Sequence, residues 1–117
     1  MSVVSSAKVG FLKYSAPLAL VVALAAVPAN AQTMTAGVVM KNMPANERFS
    51  YIAGIVEGLA QARHARDGKD PKGSGCIYRW FYKEPGTSAK IEAAFKRYPN
   101  AMPGDVVRVL AATKCGA

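Results

Sequence analysis

One histidine, two cysteines, one tryptophan and seven carboxylates are all that the 117 residues hold of the side chains from which reactive sites are usually built. A nucleophile activated by a base would have to recruit His64, and no G-x-S-x-G or comparable motif accompanies it. Zinc needs convergent His and Cys ligands, which a lone His and one cysteine pair do not supply. A carboxylate-rich calcium loop and a phosphate-cradling glycine loop are missing too. The residues therefore specify no reaction, no metal and no cofactor, and the chain reads as a non-enzymatic protein. Acidic charge is the scarcer sign, with 7 Asp plus Glu against 15 Lys plus Arg, a net +8. The length suits one domain.

A long hydrophobic run is also lacking. The longest, Ala16 to Val27, is about a dozen residues, whereas a helix crossing the hydrocarbon needs roughly 20. Lys8 and Lys13 precede it, and Pro28 and Ala29-Asn30-Ala31 follow, which is the order of an export signal with an A-x-A cut. Residues 1–31 are thus expected to be a signal peptide cleaved near Ala31. The product would be a periplasmic or secreted chain beginning at Gln32, with no stable membrane span. No cysteine follows the cut, so nothing indicates a lipid anchor. Losing Lys8 and Lys13 lowers the net charge from +8 to +6. Export disfavours nucleic acid as the partner of that basic charge and leaves head groups, envelope polymers, an acidic protein, or simply a soluble basic surface.

Export also bears on Cys76 and Cys115. An even pair in an oxidising compartment is most simply a disulfide, and no C-x-x-C motif points to a redox thiol.

Residues 32–43 show no sustained periodicity and read as a flexible leader to a helical domain over 44–117. From Pro44 onward Phe49, Ile52, Val56, Leu59 and Arg63 recur at steps of three and four, predicting a helix with a buried stripe that Gly68 ends. Ser50, Gly54, Gly58 and Ala62 make a second stripe almost devoid of side chain. Glycines cost a helix about 1 kcal/mol each against Ala, so Gly54 and Gly58 suggest close packing on another helix of this chain, or a homodimer seam or partner groove.

Residues 67–75 read as a turn-rich loop that joins Arg63, His64 and Arg66 in a cationic cluster, either solvated or an anion contact. Over 76–83 the spacing of Cys76 to Trp80 and Ile77 to Phe81 predicts two helical turns, with Trp80 and Phe81 in the core and Tyr78 and Tyr82 partly exposed. Thr87 or Ser88 is expected to cap a helix carrying Ile91, Ala94, Phe95 and Tyr98, stopped by Pro99-Asn100. The last helix should begin near Pro103-Gly104-Asp105 and run through Val106, Val109, Leu110 and Thr113 to Cys115. The sum is an all-α bundle of three to four helices with one disulfide. Interface hot spots favour aromatics and Arg, which selects Tyr78, Arg79, Tyr82 and Lys83 as the candidate partner-binding set. Glu57, alone in the middle of its helix, is either a further contact or an ordinary exposed glutamate.

YIAGIVEGL at 51–59, CIYRW at 76–80, KRYP at 96–99 and KCG at 114–116, in that order, resemble the Rap/Tai family of small exported helical proteins. The resemblance spans most of 44–116. It implies a disulfide-tied, non-enzymatic helical bundle whose relatives bind and block cell-wall amidases delivered by type VI secretion, acting as immunity proteins in the periplasm, sometimes as dimers. Where the family commonly has a proline soon after its first cysteine, this chain has Ile77-Tyr78-Arg79-Trp80, and no effector-contacting position is matched. Size, export, helices and one disulfide are also similar to HdeA-type acid-stress chaperones. A cationic envelope-binding module is the third expectation.

Overall fold

A computed structural model describes residues 33–117; the expected signal peptide at 1–31 and its cut lie outside the described residues. Among the described residues five helices follow one another: α1 Ala36–Asn42, α2 Ala45–Arg66, α3 Pro71–Tyr82, α4 Thr87–Arg97 and α5 Pro103–Cys115. No strand occurs among the described residues. The all-α expectation holds, with one helix more than the three to four predicted.

The extra helix is α1, which replaces most of the expected leader. Thr35 caps it by accepting from the Val38 N–H at 3.3 Å. The first N–H groups of any helix lack partners within it. Here Ala36 and Gly37 donate to the carbonyls of Ala101 and Pro99, each at 2.8 Å, so the α4–α5 connection completes the start of α1. Ala36 and Val39 are fully buried. A Cβ on Gly37 would lie 2.9 Å from that of Pro99, so the close approach requires glycine. Seven residues with a single deeply buried valine carry too little periodicity to be recognised without this docking site.

The α2–α3 pair is the frame of the domain. Ile52, Val56 and Ala60 form the buried line of α2. The helix ends where expected, Gly68 taking φ 67° and Lys69 φ 70°, with the Lys69 N–H donating to the His64 carbonyl at 2.8 Å. Helix α3 starts five residues earlier than expected. Asp70 accepts from the Lys72 N–H at 2.9 Å and Pro71 occupies the first helical position, a combination of N-terminal signals that overrides Gly73 and Gly75. Gly73 is buried, and a Cβ there would fall 2.5 Å from Arg63 Nε. That guanidinium donates to Asp67 at 2.8 Å and to the Gly116 carbonyl at 2.9 Å, joining α2, its terminal turn and the end of α5.

Trp80 and Phe81 enter the core as predicted, at 6% and 5% exposure. Ile91 and Phe95 of α4 and Val107 and Ala111 of α5 complete it. Thr87 does not cap α4 as expected. Gly86 precedes that helix with φ 81°, and the buried Thr87 hydroxyl points back to donate to the Trp80 carbonyl at 2.6 Å, fastening the start of α4 to α3. In α5 the buried line is Pro103, Val107 and Ala111, flanked by Val106 and Leu110, while Val109 is exposed. The disulfide forms between Cys76 of α3 and Cys115 of α5, with Cα atoms 5.8 Å apart. No helix among the described residues is long and apolar enough to cross a membrane. The disulfide fits residence in an oxidising compartment.

Candidate functional site

Antiparallel packing of α2 and α3 brings Glu57 opposite two tyrosines one helical turn apart. The Tyr82 hydroxyl donates to Glu57 Oε2 at 2.7 Å and the Tyr78 hydroxyl to Oε1 at 3.2 Å, so each carboxylate oxygen accepts one phenol. Gln61 Nε2 donates to the Tyr78 hydroxyl at 3.2 Å and extends the row along α2. The two rings stack with centroids 6.4 Å apart. Phe81 meets Tyr82 edge-on at 4.9 Å and stacks on Phe49 at 5.4 Å. The result is an aromatic ridge around an exposed carboxylate, fixed before any partner arrives. Its free lone pairs can accept from an amide, Lys or Arg, and its ring faces attract cations.

Donation to Glu57, burial, and the neighbouring charges of Glu57 and Tyr78 push the Tyr82 phenol above its ordinary 10.0. The raised value favours the protonated form in the folded state. Its stabilisation is therefore complete below pH 10 and is lost as pH rises through the folded value. Titrated residue by residue, the Tyr82 phenol should ionise above its ordinary 10.0, and Glu57→Ala should lower it. An unchanged Tyr82 titration in the Glu57→Ala variant would contradict the hydrogen-bonded arrangement.

The four predicted partner residues do not form one patch. Tyr78 and Tyr82 belong to the ridge, whereas Arg79 and Lys83 flank the disulfide beside Lys114 and Glu84. There Lys114 Nζ pairs with Glu84 Oε1 at 2.6 Å. The expected cationic cluster is divided. Arg63, engaged with Asp67 and the end of α5, and Arg66 line one cleft, whereas His64 lines a shallow hollow on the other flank of α2 with Gln61 and Tyr78.

Of the two expectations for the glycine stripe, packing on another helix of this chain is not found among the described residues: Gly54 and Gly58 are exposed, and a Cβ at either would meet nothing within 4 Å, which leaves the seam or groove for another molecule. They leave a bare strip along α2 beside Glu57. Gly54→Ala and Gly58→Ala should each raise stability by about 1 kcal/mol, read as higher denaturation midpoints. A lower midpoint for either variant would mean that a contact lies on the strip.

Phe49, Gln61 and the pairing role of Glu57 were not legible as a unit. Phe49 has helix-core spacing but is 46% exposed, and the carboxylate–phenol contacts depend on the α2–α3 register. Among the described residues no three His, Cys, Asp or Glu side chains gather as a metal-binding group. No family model, curated protein or solved structure matches the chain.

Proposed function

We propose that this protein works in the periplasm by binding another protein, as a non-catalytic immunity-like inhibitor of a secreted cell-wall-degrading effector. The cell-wall target comes from the Rap/Tai resemblance; the contact surface comes from the ridge. The observation that carries the reading is the Glu57 carboxylate held at both oxygens by Tyr82 and Tyr78. Tyrosines already restrained in this way lose little side-chain freedom on binding, and tyrosine is enriched among interface hot spots. The bare strip at Gly54 and Gly58 lets a partner backbone come close to α2.

The test pairs the purified protein with an exported peptidoglycan hydrolase encoded beside its gene. A stoichiometric complex and suppressed peptidoglycan hydrolysis are expected. Tyr82→Ala and Glu57→Ala should each weaken the complex by roughly 30-fold, the loss of a hot spot of about 2 kcal/mol, with the fold intact. Unimpeded hydrolysis would remove the inhibitor role, and undiminished affinity of both variants would remove the ridge. Client protection confined to low pH would put an HdeA-like chaperone in its place. Salt-sensitive binding to anionic envelope polymer without a protein partner would put an envelope-binding module there.

A further inference from the structure

On the flank of α2 away from the ridge, its C-terminal half and that of α5 enclose a cleft of about 270 Å³. Leu59 and Ala62 of α2, Ile77 of α3, and Ala111 and Ala112 of α5 give it an apolar lining, and the three alanines leave the space that larger side chains would fill. Arg63 and Arg66 from one wall and Arg108 from the other supply cations, Gly116 and Ala117 complete the lining, and no acidic side chain belongs to it.

These arginines are not equivalent. Arg63 is committed to Asp67 and to the carbonyl of Gly116, which offsets the negative end of α5. Arg66 is exposed and has no ion pair among the described residues. Arg108 reaches Asp105 only at 3.6 Å, with the two side chains 61% and 66% exposed. An ion pair so open to water is weak and easily exchanged. Two arginines with weak or no ion pairs, one on α2 and one on α5, thus line a cleft that is otherwise largely apolar.

We propose that this cleft binds an amphipathic anion, its single aliphatic chain against Leu59, Ile77 and the alanines and its carboxylate or phosphate monoester between Arg66 and Arg108. An apolar cavity of about 150 Å³ already accommodates benzene, so a cleft of about 270 Å³ takes one chain of modest length. Charge complementarity selects the head group, because guanidinium pairs with carboxylate and phosphate in bidentate geometry. A neutral or cationic amphiphile of the same length offers these arginines nothing.

The probes are octanoate, octyl phosphate, octanol and octyltrimethylammonium, titrated against the methyl resonances of Leu59 and Ile77 in the full protein. Both anions are expected to shift those methyls saturably. Octanol should bind about tenfold more weakly, and the cation not at all. Ala112→Leu should close the cleft to every probe. Arg66→Glu with Arg108→Glu, at exposed positions that leave the core untouched, should cost the anions about tenfold and leave octanol unchanged. The charge-reversal pair decides the matter even where Ala112→Leu perturbs folding. Co-sedimentation with phosphatidylglycerol vesicles that Ala112→Leu abolishes would identify a bilayer as the source of the ligand. Binding of the soluble anions without co-sedimentation would identify a free amphiphile. Methyl resonances unmoved by millimolar octanoate and octyl phosphate, or affinities indifferent to head-group charge, would overturn the proposal.

Discussion

Replacing Cys76 and Cys115 together by serine is expected to lower the stability of the domain by about 4 kcal/mol, the chain-entropy value for a loop of this length. The two cysteines are 39 positions apart, so the bond removes a large set of conformations from the unfolded chain. A domain of this size holds only roughly 4–13 kcal/mol in total, which makes the loss decisive. Its first structural effect falls on α5, whose last turn the bond ties to α3. Urea denaturation of the oxidised, reduced and double-serine proteins measures the difference, and hydrogen exchange should rise earliest along α5. Coincident midpoints for oxidised and reduced protein, both folded, would show that packing alone holds the helices.

Phe95→Ala is the second large effect, at about 3–5 kcal/mol, because Phe95 is fully buried and its removal leaves a cavity that the surrounding helices fill only in part. Phe49→Ala removes the same ring from a position 46% exposed, where the principal loss is one stacking contact with Phe81. That contact is worth about 0.5–1.5 kcal/mol. The Phe95 variant should therefore melt more than roughly 12 °C below the parent and the Phe49 variant only slightly below it. Equal losses at the two positions would mean that the hydrophobic centre does not lie between α4 and its neighbours.

The contrast between these phenylalanines marks what periodicity conveys and what it omits. Spacing of three and four identified α2, α4 and α5, and it placed Ile52, Val56, Ile91 and Phe95 correctly in the interior. It put Phe49 on the same stripe because pattern alone does not reveal where neighbouring helices stop covering a face. In α5 it favoured Val109 over Val107, since adjacent valines read alike until a partner helix selects one. Helix α1 and the first turn of α3 depend on tertiary completion, the former on carbonyls of the 98–101 connection and the latter on room for the Arg63 guanidinium over Gly73. The ridge was half legible. Tyr78 and Tyr82 stood out as aromatics four apart, but their separation from Arg79 and Lys83 required knowing which flank of α3 meets α2 and which meets α5.

Arg63 has a consequence that outlasts the covalent bond. Its guanidinium reaches the carbonyl of Cys115 at 3.5 Å and that of Gly116 at 2.9 Å, on the same end of α5 that carries the half-cystine. After mild reduction those contacts still tether the tail, holding the two thiols at a high effective concentration. With a small disulfide such as oxidised glutathione as the oxidant, the mixed disulfide formed at one cysteine should then be displaced rapidly by the other thiol in a first-order step that releases the small thiol, and more slowly in Arg63→Met.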